Sequence, residues 1–168
     1  FFNGTYWGLY AAAERPDASY MAERLGGDKE DYDAISHGEI VDGSLDAWNE
    51  MMAIANAGLS DNLSYQALRE RLDVDRLIDY FLVNLYTCNI DWPGHLGNRN
   101  WRAAGPRVPG EGGFRVFSWD AEISFDSGWY DTVRPVDYDN VSTMGDTDGT
   151  PARLYQKLKE NLDYRVLF

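Results

Sequence analysis

Between Asp73 and Pro93 the chain leaves itself few choices. The stretch DVDRLIDYFLVNLYTCN, residues 73 to 89, sets Leu77, Ile78, Phe81, Leu82, Leu85 and Tyr86 at three- and four-residue steps, the spacing of one buried helix face. Asp73 suits the N-cap, where a carboxylate accepts orphan amide protons and faces the positive helix end. Pro93, in Asn89-Ile90-Asp91-Trp92-Pro93, forbids continuation because it has no N–H and its ring clashes with the preceding turn. A helix through Asn89 is therefore predicted, with Asp91 leaving it on a loop held by a rigid core element.

Beyond that loop come Asn98 and Asn100, a strand-like NWRAA, a Gly/Pro turn from Gly105 to Gly113, and FRVFSWDAEISF. Phe114, Val116 and Ser118 on one side and Phe117 and Trp119 on the other predict a mostly buried strand ending at Asp120 and Glu122. The two strands can form a hairpin. One unit then presents Asp91, Asn98 or Asn100, and Asp120 together.

The flanking sequence reads as a mainly helical body. Asn3-Gly4 between aromatic runs is a hairpin signal, and a strand over Tyr6 to Ala13 ends at Glu14-Arg15-Pro16-Asp17. A helix is expected over 18 to 25, stopped by Gly26-Gly27, then one short strand near Tyr32 to Ile35 within a charged stretch. Ser44 is expected to cap a helix that stops at Gly58, and another helix covers about 64 to 72. Residues 126 to 150 show no period. Thr150-Pro151 supplies an N-cap and first-turn proline for one last helix over PARLYQKLKENLDYRVL.

Charge removes whole classes of function. Fifteen basic residues stand against 28 acidic ones, a net charge of −13, with no basic stripe, so nucleic acid is an unsuitable partner. No run of some eighteen apolar residues provides a membrane segment. One cysteine, Cys88, excludes an internal disulfide, and two histidines with it do not make a usual zinc site. With 168 residues and 44% apolar content the chain suits one domain with a real core. It opens on Phe1-Phe2 in strand-like sequence and closes on apolar Phe168, so it is read as the middle of a longer protein.

Asp91, the Asn98/Asn100 pair and Asp120 form a hard oxygen set suited to Mg²⁺ or Mn²⁺. They also fit phosphoryl transfer, in which one Asp orients the attacking hydroxyl while an Asn and a second Asp hold metal against phosphates. The intervals from Asp91 are seven and nine residues, against five in the protein-kinase catalytic loop. Spacing alone favours a helix-exit turn at Asp91 and a strand-end cap at Asp120, because Asp and Asn prefer turns for local reasons. Asp146-Thr147-Asp148-Gly149 lacks the terminal Glu of a calcium loop and reads as a turn.

Four stretches in order, YWGLYAAAERPD (6 to 17), DVDRLIDYFLVNLYTCNIDWP (73 to 93), NRNW (98 to 101) and FSWDAEISF (117 to 125), resemble the spore coat protein H (CotH) kinase family, bacterial remote relatives of protein kinases. The resemblance implies an α+β, protein-kinase-like catalytic lobe, mainly helical, with a small β hairpin carrying the metal site and a remnant N-terminal strand. Residues 1–17 would end the small lobe and form the hinge, and 18–168 the catalytic lobe. It implies an ATP-dependent kinase acting with Mg or Mn on Ser or Thr hydroxyls of a protein substrate, in a spore-surface, cell-surface or secreted setting. An acidic enzyme suits a basic substrate region. Asp91 would be the catalytic aspartate and Asp120 the metal-binding one, with Asn100, or else Asn98, on the metal side. Glu14 would lie at the hinge near the nucleotide, with Glu122 and His95 as accessory groups.

The chain departs from the family pattern at three places. Glu122 stands where the family often has Asp or Asn, the phosphate-binding lysine is expected upstream of Phe1, and Ser36-His37 stands where a basic residue might be sought. Two other readings stay open: a noncatalytic pseudokinase or ion-dependent surface-binding module, and a glycoside hydrolase using Asp91 with Asp120 or Glu122.

Overall fold

The computed structural model describes residues 3–4, 6, 13–95, 98–110, 112–125 and 144–168. Its elements are α1 (Ala18–Leu25), β1 (Tyr32–Ser36), β2 (Glu39–Asp42), α2 (Asp46–Ala57), α3 (Asn62–Arg69), α4 (Val74–Tyr86), β3 (Trp101–Pro106), β4 (Arg115–Ser118), α5 (Pro151–Leu158) and α6 (Leu162–Leu167). This is a mixed α+β arrangement. The expected strand over Tyr6 to Ala13 lies largely outside the described residues. Asn3 and Gly4 both have positive φ, 49° and 78°, as a hairpin turn of the predicted kind requires.

Helix α4 starts as its sequence dictates, the Asp73 carboxylate accepting from the Arg76 N–H at 3.1 Å. It ends well before Pro93. Cys88 takes φ 51°, the Asn89 N–H donates to Asn84 O at 3.0 Å, and the Cys88 N–H donates to Leu85 O at 3.2 Å. These two bonds close a Schellman motif that satisfies the last carbonyls, so a left-handed cysteine rather than the proline stops the helix. The buried face also differs from the expected one. Leu77, Ile78 and Phe81 are buried, but so are Tyr80 and Asn84, whereas Leu82 and Tyr86 are 47% and 82% exposed.

The expected two-stranded hairpin is half of a four-stranded antiparallel sheet ordered β2-β1-β3-β4. β1 and β2 join through His37-Gly38, both at positive φ. β1 escapes its apolar pattern because Asp33, 1% exposed, sits inside it. That carboxylate accepts from Arg107 Nε at 2.9 Å and from the Ser44 N–H at 2.8 Å, which makes its burial tolerable. Gly105 and Pro106 belong to β3 rather than to the turn that follows.

Side chains alternate across the sheet, so each strand serves two packing surfaces. Ile35, Trp101, Ala103 and Val116 join the main core with Trp48, Met51, Tyr65, Leu77, Phe81, Leu154 and Tyr155 from the helices. Ala34 and Ala104 meet Ala18 and Met21 of α1 on the other face, with Tyr20 and Phe117 at its edge. β4 is clamped to the start of α4: the Phe114 N–H donates to Arg71 O at 2.7 Å and the Asp73 N–H donates to Phe114 O at 3.0 Å. Gly113 permits this approach. Its φ is +67°, and a Cβ there would lie 2.6 Å from the Leu72 backbone nitrogen.

Three helix boundaries shift for capping reasons. Ser44 Oγ accepts from the Asp46 N–H at 3.2 Å, but Leu45 occupies the cap position of α2. Asp61 caps α3 two residues earlier than expected. Thr150 and Pro151 open α5 as expected, yet the final segment is two helices, because Asn161 accepts from the Asp163 and Tyr164 amides and starts α6. Among the described residues no helix is long and apolar enough to cross a membrane.

Candidate active site

The loop after α4 is nailed down on both sides of Asp91. Ile90 and Trp92 are 4% and 2% exposed, and the Trp92 ring stands against Tyr80 and Phe81 at centroid distances of 5.7 Å. Truncating a buried tryptophan costs about 3–5 kcal/mol, so this anchor is strong. Asp91 is left between two core residues as the half-buried side chain that faces outward.

A run of amides aims it. Asn84, buried in α4, donates through Nδ2 to Tyr80 O and to Ser118 Oγ, both at 2.8 Å. Its Oδ1 accepts from Asn89 Nδ2 at 2.7 Å, and Asn89 Oδ1 accepts from the Asp91 N–H at 3.2 Å. Asn100 Nδ2 then donates to Asp91 Oδ2 at 2.8 Å. The Asn100 carbonyl accepts from the Trp119 N–H at 3.2 Å, beside Asp120. Helix exit, hairpin base and strand end are thereby joined in one connected set of bonds.

Asn100 and Asp120 have φ values of 57° and 50°. Asparagine and aspartate tolerate the left-handed region better than most residues, and here it turns both chain ends at the mouth of the β3–β4 pair. Asp120 and Glu122 are exposed and lie in irregular chain beyond β4, not on the strand that their sequence suggested. The segment after them doubles back along the helix exit, with the Ile90 N–H donating to Ile123 O at 3.3 Å and the Phe125 N–H to Thr87 O at 2.9 Å.

The two asparagines separate cleanly. Asn98 Oδ1 accepts from Trp101 Nε1 at 2.7 Å and its Nδ2 donates to His37 O at 3.4 Å, so it braces the entry to β3. His95 is exposed, and its N–H donates to Trp92 O at 2.9 Å, closing the turn around Pro93. Glu14 receives Arg24 Nη2 at 2.7 and 2.6 Å on its two oxygens, an exposed pair that raises the Arg24 pKa. Glu14 also lines a cleft of about 590 Å³ with Ala13, Pro16, Tyr20, Phe117, Trp119 and Asp120. Glu14 and Asp120 therefore share a cavity, rimmed by three aromatic rings.

Among the described residues no three His, Cys, Asp or Glu side chains converge as a protein-only metal cluster. Mg²⁺ commonly takes one or two carboxylates and completes its shell with water and phosphate oxygens. Asp120 and the Asn100 amide oxygen are the right donor types for that mode. Asp146 and Asp148 are spent on Arg153, Asn56 and the Gly149 N–H in a turn before α5.

Four residues of this region carry no role in the sequence reading. Asn84 interrupts an apolar helix face, Asn89 looks like half of a turn, and Ser118 is one small residue in a strand. Arg102 is a charge inside the fully buried strand WRAAGP, with its guanidinium carbon 4.1 Å from the Trp119 ring centroid. For Asn84, Ser118 and Arg102 the visible signal is a polar side chain at a position whose periodicity demands an apolar one, while Asn89 offers none beyond its turn chemistry.

A family model described as CotH kinase protein matches residues 36–168. Neither a curated protein nor a solved structure matches the chain.

Proposed function

Since the chain belongs to the CotH kinase protein family, we propose that it carries the catalytic lobe of a protein-kinase-like enzyme that transfers the γ-phosphoryl group of ATP to a Ser or Thr hydroxyl. The observation that carries this reading is the double attachment of Asn100. Its side chain holds Asp91, and its backbone holds the residue before Asp120. Phosphoryl transfer asks for one carboxylate at the attacking hydroxyl and another carboxylate, with an amide oxygen, on the metal side.

On this reading Asp91, with Oδ2 tied to Asn100, uses its other oxygen to orient the hydroxyl and accept its proton. Asp120 and Asn100 would hold Mg²⁺ or Mn²⁺, which supplies charge stabilisation to the phosphates when bound. The aromatic cleft of Tyr20, Phe117 and Trp119 takes the nucleotide, with Glu14 at its rim. A net charge of −13 favours a hydroxyl-bearing protein segment flanked by Lys or Arg.

Calorimetry of ATP on this chain, with and without Mg²⁺ or Mn²⁺, and on Asp120→Ala tests the proposal. Metal-dependent binding lost in Asp120→Ala is the expected result. A folded chain that ignores ATP in both metals would remove the kinase reading.

A further inference from the structure

Arg102 is 6% exposed, and its Nε and Nη1 are buried with no hydrogen-bond partner. It enters no ion pair among the described residues. A buried charge without a counter-charge is costly, so its missing partner calls for an explanation. Burial first, and the Arg15 charge second, hold the Arg102 guanidinium below its usual range, with Asp17 pulling weakly the other way. Asp17 is already engaged, accepting from the Tyr20 N–H as the cap of α1.

The position of this charge, which has no ion-pair partner among the described residues, is specific. Arg102 pairs in register with Phe117, and its guanidinium lies against Trp119. Phe117 and Trp119 both line the 590 Å³ cleft, and Arg15 lies between two further lining residues, Glu14 and Pro16. Of the two carboxylates in the cleft, Glu14 is occupied by Arg24 and Asp120 is the candidate cation ligand. A chain that is strongly acidic overall thus keeps two arginines behind residues that line one cavity, neither of them a lining residue itself.

We infer that Arg102, with Arg15 beside it, supplies the positive charge that selects a polyphosphate ligand for this cleft, the anion completing a charge left without an ion pair among the described residues. The choice of ATP as that ligand rests on the kinase reading; the selection of phosphate does not. Trp119 is shared between the two halves of the site, one side against Arg102 and its backbone against Asn100.

The test is calorimetry with four probes, namely Mg·ATP, Mg·ADP, adenosine and inorganic tripolyphosphate, on wild type, Arg102→Met and Arg102→Lys, each checked for native circular dichroism. Arg102→Met is expected to weaken ATP and tripolyphosphate about tenfold, the scale of one lost charge-assisted contact, with adenosine unchanged and Lys restoring most of the loss. Should Arg102→Met fail to fold, Arg15→Met reads the same contrast from an exposed position. Equal weakening of adenosine and ATP would make Arg102 a mere prop for Trp119 and overturn the inference, as would ATP binding indifferent to both substitutions, which leaves the kinase reading standing. Arg102-dependent tripolyphosphate binding without ATP binding would support the inference and remove the kinase reading. Binding of neither would sink both.

Discussion

Asn100 donates its side-chain amide to Asp91 at 2.8 Å across the base of a hairpin, while its own carbonyl accepts from Trp119. Both candidate carboxylates are therefore referenced to one residue. On the proposed roles, Asp91→Asn should lower kcat by about 10²–10⁴ with little change in nucleotide affinity, since a misplaced or absent general base affects the reacting hydroxyl alone. Asn100→Ala should lower both kcat and metal-dependent ATP affinity. Steady-state kinetics beside calorimetry checks the contrast, and equal effects of the two substitutions on affinity would contradict it.

Asn84 should matter to the fold before it matters to catalysis. Asn84→Leu leaves the buried Asn89 Nδ2, and Ser118 Oγ at a more exposed place, without their partner, at a cost of about 1–3 kcal/mol. Urea denaturation should show a lower midpoint with unchanged slope. Ser118→Ala, at a more exposed position, should cost less than Asn84→Leu.

Cys88 offers a substitution of the opposite sign. Its φ of 51° strains any residue with a Cβ, and Cys88→Gly removes that strain at the end of α4. A gain of about 0.5–1 kcal/mol in thermal or urea unfolding is expected, after the extra chain entropy of glycine is allowed for.

Acid should loosen the junction of α5 and α6. Glu160 accepts from the Leu59 N–H at 3.0 Å and from Lys157 Nζ at 3.1 Å. The Leu59 amide foremost, and Lys157 with it, hold its pKa below the ordinary 4.5. A carboxylate with a depressed folded pKa stabilises fully above its unfolded value and loses that contribution as pH falls below 4.5 and through the folded value. Glu160→Gln should flatten the acid limb of a stability-against-pH curve in that window, and an unchanged limb would count against the assignment.

What could be read from the chain was what local chemistry decides. Asp73, Thr150-Pro151 and the Gly26-Gly27 stop announce themselves because caps and breakers act within a few residues. The end of α4 was hidden because Pro93 is conspicuous and a left-handed cysteine is not. The short strand near Tyr32 to Ile35 is present as β1, whereas β2 and the place of both in a four-stranded sheet are not legible, and the burial of Asp33 in β1 rests on Arg107, a partner 74 residues away that no periodicity reveals. Asp91, Asn100 and Asp120 stand out by residue type and resemblance, which also ranks Asn100 ahead of Asn98; the fold adds that Asn100 bonds to Asp91 and Asn98 to Trp101.

The amides that link Tyr80 to Asp91 have a consequence for proton chemistry. Asn84, Asn89 and Asn100 neither gain nor lose protons across the ordinary pH range, and their hydrogen bonds keep their donors and acceptors throughout it. The scaffold that aims Asp91 therefore keeps one hydrogen-bond pattern, with no ionisable side chain among its links. The chain thus carries an aiming device built from neutral amides alone.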